Sequence, residues 1–135
     1  MFTLQFQYAD MAPGEAYLVG DVTSEEAQQQ FESFPWADQL KKFQDQHLHA
    51  PTYRLKNRKR QDELLVSVIT EDNFYVSLTA RPIKKTFGLF PVKTQESYSG
   101  YGLDFAEVTH ALRAFLDDDA NAIKAKLATA VQPES

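Results

Sequence analysis

The stretch Leu64-Leu65-Val66-Ser67-Val68-Ile69-Thr70, with Glu71-Asp72-Asn73 and then Phe74-Tyr75-Val76-Ser77-Leu78-Thr79 behind it, decides the fold. The first run is dense in β-branched residues, which fit a pleated, half-buried surface. Glu71-Asp72-Asn73 is turn-prone, because short polar side chains hydrogen-bond the nearby backbone. In the last run Phe74, Val76 and Leu78 alternate with Tyr75, Ser77 and Thr79, the period of a strand with one face buried. Two such runs around a short polar turn predict an antiparallel hairpin.

Toward the N-terminus, Phe2, Leu4, Phe6 and Tyr8 alternate with Thr3, Gln5 and Gln7 and predict another strand. The Pro13-Gly14 pair is a turn signal, and Ala16-Tyr17-Leu18-Val19 reads as a strand paired with the first. Thr23-Ser24-Glu25-Glu26 matches a capping box, in which hydroxyl and carboxylate satisfy orphaned amide donors at a helix start. Ala27, Phe31 and Phe34 share one face of that helix, Pro35 interrupts it, and Trp36, Leu40 and Phe43 begin a new stripe. A kinked or broken helix to about His47 is expected, with Trp36 the aromatic to examine for partial exposure. Ala50-Pro51-Thr52 ends the helical region, and residues 53–59 read as extended.

Toward the C-terminus, residues 83–92 read as one further strand, which Pro82 and Pro91 would confine to an edge because proline cannot donate to a ladder. Residues 95–102 are polar and contain Gly100 and Gly102, so a loop is expected. Asp104-Phe105-Ala106-Glu107 opens a helix with an acidic cap, and Phe105, Val108, Leu112, Phe115 and Leu116 form its apolar stripe. Asp117-Asp118-Asp119 breaks it and caps a short terminal helix through Ile123, Leu127 and Val131. The order ββ-α-ββ(β)-αα lacks regular βαβ alternation. It predicts an α+β single domain over residues 1–131 with a frayed tail at 132–135, its sheet antiparallel or mixed and its helices mainly on one face.

A chain of 135 residues, 43% hydrophobic, fits one domain with its own core. The absence of cysteine excludes disulfides, thiolate zinc sites and cysteine nucleophiles. No window reaches the roughly 20 apolar residues of a membrane span, and the first residues do not resemble a secretory leader. The expected compartment is therefore the cytoplasm, with no membrane partner. Removing the five cations Arg54, Lys56, Arg58, Lys59 and Arg60 from a net charge of −5 leaves −10 on the rest, an acidic body with one basic segment.

That segment has three readings. In an extended chain Arg54, Lys56, Arg58 and Arg60 would share a face and could track phosphates, with Tyr53 as a stacking platform. They could meet an acidic partner, or they could guard an edge strand against unwanted pairing. His47, His49 and His110 are the only imidazoles, and His47 and His49 fall at a predicted helix end, where cationic residues are ordinary. His110 projects to the solvent side of its helix with Glu107, Arg113 and Asp117, where Glu107–His110 and Arg113–Asp117 pairs are expected. The three successive aspartates lack the ligand spacing of a calcium loop. Residues 97–102 match no phosphate-binding glycine motif, though Tyr98 and Tyr101 offer contact area at low entropy cost.

No catalytic residue, metal or cofactor is expected. The leading expectation is a non-enzymatic cytosolic binding protein that occludes the surface of a protein partner, as an inhibitor, immunity protein or adaptor does. An acidic body suits a basic partner, because complementary potentials speed encounter. Candidate contacts are Arg54, Lys56, Arg58, Lys59 and Arg60 on one hand, and Tyr98, Tyr101, Glu107, Asp117 and Asp118 on the other. The alternatives are a nucleic-acid-binding module using residues 54–60, and a small hydrolase using His110 or clustered carboxylates, which would need a concave site.

Overall fold

The computed structural model describes residues 2–12, 15–46, 50–80, 83–86, 90–93 and 96–132, with backbone alone at 46, 83–86, 90–93 and 96. Strands β1 (Phe2–Gln7) and β2 (Tyr17–Val22) come first, then helices α1 (Ser24–Ser33) and α2 (Trp36–Gln46). Strands β3 (Thr52–Asn57), β4 (Glu63–Thr70), β5 (Asn73–Ala80), β6 (Ile83–Thr86), β7 (Phe90–Lys93) and β8 (Glu96–Leu103) follow, and α3 (Phe105–Leu116) and α4 (Ala120–Ala128) end the fold. Six strands form one antiparallel sheet in the order β2-β1-β3-β4-β5-β8. The fold is α+β, as the sequence predicts.

The period-2 pattern sets the register. Leu4 lies opposite Leu55, Leu55 opposite Leu64, and Leu64 opposite Leu78, so one apolar row crosses four strands. A parallel row joins Phe6, Tyr53, Val66 and Val76. These side chains are buried in one cluster with Ala27 and Phe31 of α1, Val108, Leu112 and Phe115 of α3, and Ile123 and Leu127 of α4. Each large apolar side chain so buried contributes about 1.5–3 kcal/mol before entropy is counted. The face away from the helices carries Thr3, Gln5, Arg54, Lys56, Glu63, Ser77 and Thr79, the polar half of the same alternation.

The caps form where the sequence puts them. Thr23 Oγ1 accepts from the Glu26 amide at 3.1 Å while the Glu26 carboxylate accepts from Thr23 N–H, and Asp104 and Glu107 repeat the exchange at α3. The expected break at Pro35 separates α1 from α2. Trp36 is buried, and its indole N–H donates to the Phe31 carbonyl at 3.1 Å.

Four expectations change. Residues 96–103 are not a loop but β8, paired with β5. Its glycines answer packing: a Cβ on Gly100 would lie 2.6 Å from Ala130 Cβ, and Gly102, at φ +81°, donates its N–H to Asn73 Oδ1 at 2.8 Å. Residues 83–92 do not form one edge strand; β6 and β7 pair with each other as a separate two-stranded sheet, Lys85 opposite Pro91, and Pro82 lies outside the described residues. The extended run from Tyr53 stops at Asn57, whose Oδ1 accepts from the Lys59 and Arg60 amides and bends the chain into a turn. The terminal helix stops at Ala128, so Val131 leaves the stripe of Ile123 and Leu127; its backbone exchanges hydrogen bonds with Tyr101 of β8 at 2.7 and 3.2 Å.

Candidate functional site

The basic segment does not form one cationic face. Arg54 and Lys56 lie on the outer face of β3, which is the third strand of six and not an edge, so the edge-guard reading fails. Arg58, Lys59 and Arg60 sit in the turn beyond it. Three of the five cations are already matched: Arg54 Nε to Glu63 at 3.1 Å, Arg58 Nη1 to Asp21 at 2.8 Å, and Arg60 to Asp62 at 3.4 Å and Asp118 at 3.2 Å. Exposed pairs of this kind contribute up to about 1 kcal/mol each, and their larger effect here is to cancel the field that a phosphate backbone would sense. Tyr53 is no stacking platform. It is fully buried, and its hydroxyl donates to the Ala27 carbonyl at 2.9 Å. Burial pushes that phenol well above its usual range.

The second candidate group is dispersed too. Tyr98 and Tyr101, three apart on a strand, face opposite sides: Tyr98 packs toward the core with Lys124 Nζ 5.0 Å from its ring centroid, and Tyr101 meets Tyr75 edge-on at 4.7 Å. Glu107 pairs with Lys126 of α4 and not with His110, and hydrogen bonds from Lys126 and the Asp104 amide hold its carboxyl below the usual carboxylate range. Arg113 and Asp117 meet through the backbone, Asp117 N–H donating to the Arg113 carbonyl at 2.9 Å, and not through their charges. Asp118, at φ +62°, joins Arg60 and Asn57, while Asp119 caps α4 by accepting from the Ala122 amide at 3.2 Å. His110 is exposed, and His47 and His49 lie outside the described residues. Among the described residues no group of three His, Asp or Glu is placed to hold a metal ion.

Arg54 lines a shallow concavity with Gln5, Gln7, Glu15 and Thr52, and a roomier one lies elsewhere. The α2 helix and the start of α3 leave a gap over the β4–β5 turn, a cleft of about 680 Å³. Its apolar lining comes from Trp36 and Leu40 of α2, Val68 and Phe74 of the hairpin and Phe105 of α3, and Lys41, Glu71 and Asp72 line it as well. Phe105 is 39% exposed although it begins the apolar stripe of α3; it stacks on Phe31 at 5.3 Å and meets Phe74 at 6.1 Å. Apolar walls with a few polar groups at the mouth are the ordinary make-up of a binding cleft. Sequence reasoning assigned these aromatics to the core. The available signal was positional: Trp36 and Phe105 both stand at the first residue of a helix, where an apolar stripe meets solvent.

At β2, the aromatic cluster reaches the surface a second time. Phe34 stacks on Tyr8 at 5.6 Å, and Tyr8 meets Tyr17 edge-on at 6.3 Å. Burial, and secondarily Tyr17, raise the Tyr8 hydroxyl above the usual phenol range. Tyr17 is 54% and Leu18 59% exposed.

No protein-family model, curated protein or solved structure matches the chain. Among the described residues, no helix is long and apolar enough to cross a membrane.

Proposed function

We propose that this is a non-enzymatic binding protein that acts by covering the surface of a protein partner, in the manner of an inhibitor, immunity protein or adaptor. The observation that carries the reading is the cleft between α2, the β4–β5 turn and α3. It offers Trp36, Leu40, Phe74 and Phe105 as an apolar anchor site, with charges of both signs at its mouth. The imidazole of His110 is not among its lining residues, and neither is Glu107, whose carboxyl is held low against Lys126. The partner is one that inserts an apolar side chain, and the acidic net charge of −5 favours a basic partner through long-range attraction. The cytoplasm is the compartment we assign, since a chain without cysteine gains no disulfide from an oxidising one.

The test is purification of the tagged chain from its native lysate at low and moderate salt, alongside Phe105→Asp. Aspartate suits the first turn of a helix, which offsets part of the stacking on Phe31 that the variant loses. The expected result is a stoichiometric protein partner that the variant loses while its far-ultraviolet circular dichroism is unchanged. Nucleic acid released by salt in place of a protein, or a partner indifferent to Phe105→Asp, overturns the reading.

A further inference from the structure

We infer that the cleft reads one feature of its partner beyond the apolar anchor: a lysine or arginine two or three residues from that anchor, received by Glu71 and Asp72. The inference deepens the protein-partner reading and rests on it. Glu71 and Asp72 form the two-residue turn between β4 and β5, where Thr70 lies opposite Asn73, and both line the cleft. The turn is tied to β8, because Asn73 Oδ1 accepts from the Gly102 amide at 2.8 Å. Asp72 completes it in the left-handed conformation, at φ +57°, which aspartate tolerates better than most residues. A turn so held spares a partner the cost of ordering it.

Charge points to a cation. Elsewhere on the molecule carboxylates are matched: Asp21 by Arg58, Glu63 by Arg54, Asp62 and Asp118 by Arg60, and Glu107 by Lys126. Among the described residues, Glu71 and Asp72 have no ion-pair partner, although Lys41 lines the same cleft. Two carboxylates against one ammonium leave the lining net negative, which favours a cationic side chain and opposes an anionic one. The spacing follows from the hairpin. Val68 and Phe74, an opposed pair in the apolar lining, stand three residues before Glu71 and two after Asp72. At about 3.3 Å per residue, roughly 7–10 Å separates apolar contact from carboxylate, a reach of two or three residues in an extended segment. The cleft, at about 680 Å³, has the size of pockets that hold a whole small ligand, so it has room for the anchor and the aliphatic stem of the cation together.

The probes are two capped hexapeptides, one with phenylalanine followed two and three residues later by lysine, the other identical but with glutamate for lysine. Each is titrated to about 5 mM into the isotope-labelled full chain and followed by amide resonances, a range that reaches millimolar dissociation constants. The lysine peptide is expected to shift the Trp36 indole and the Glu71, Asp72 and Phe105 amides, and to bind about tenfold tighter than its twin, a preference that fades as salt screens the charges. Glu71→Gln combined with Asp72→Asn keeps the turn, since asparagine tolerates the left-handed conformation, and brings the two peptides within about twofold of one another. Peptides that bind equally, a preference that survives the double variant, or no shift at these residues overturns the inference. A lysate partner that Phe105→Asp loses and the double variant keeps overturns it too, and leaves the protein-partner reading standing.

Discussion

The two edges of the sheet solve one problem in opposite ways. At β8 the chain closes its own edge: α4 packs behind the strand, and the residues after it return so that Val131 pairs with Tyr101. At β2 no described residue forms such a strap. Tyr17 and Leu18 stand exposed, beside a bulge and the Asp21–Arg58 pair. The closed edge is therefore tied to the packing of α4, and the open edge is not. Substitutions at the first should lower the melting transition more than comparable ones at the second.

The largest expected effect tests what holds the closed edge. Leu127 is on the buried face of α4, and Leu127→Ala should cost about 2–5 kcal/mol in chemical denaturation, with α4 and the strap loosening first. If exchange at Tyr101 and Val131 stays as slow as in the parent, the strap does not depend on α4.

A matched pair of glycine substitutions sharpens the contrast. Gly100→Ala places a methyl against Ala130 and should cost about 1–3 kcal/mol by overpacking, with lost amide protection at Tyr101. Gly20→Ala meets nothing within 4 Å, so its cost is the backbone strain of φ +107° alone, on the order of 1–2 kcal/mol, without change at Tyr101. Equal loss of protection at Tyr101 in both variants would mean that the two edges are not independent.

The smallest effect depends on pH. Lys126 ties α4 to Glu107 of α3 and holds that carboxyl low. A lowered carboxyl stabilises the fold above its unfolded value and loses that contribution as pH falls through its folded value. Thermal melts of Lys126→Met should therefore lie slightly below the parent near neutrality and converge with it in acid. A gap that persists in acid would assign the difference to lost packing of the lysine stem.

Much of the frame was legible because its causes are local. The alternation in β4 and β5, the caps at Thr23 and Asp104, and the break at Pro35 all depend on residues within a few positions of one another. What was hidden depends on residues far apart in the chain. Gly100 reads as a loop glycine until Ala130 is found against it, and the basic segment reads as a free cationic face until Asp21 and Asp118 arrive from other elements. Tyr53 follows the same rule, since its burial is fixed by Ala27 and Phe31 of α1. Of the cleft, the turn and both helix starts were visible separately, and their convergence was not.

Trp36 is the chain's single tryptophan. Its ring packs against Phe34 and Phe74, its N–H is given to the Phe31 carbonyl, and it is among the residues that line the cleft. The molecule thus carries a built-in fluorophore whose emission reports two events without any label: a red shift when the core opens to water, and a change in yield when something settles against the indole in the intact fold.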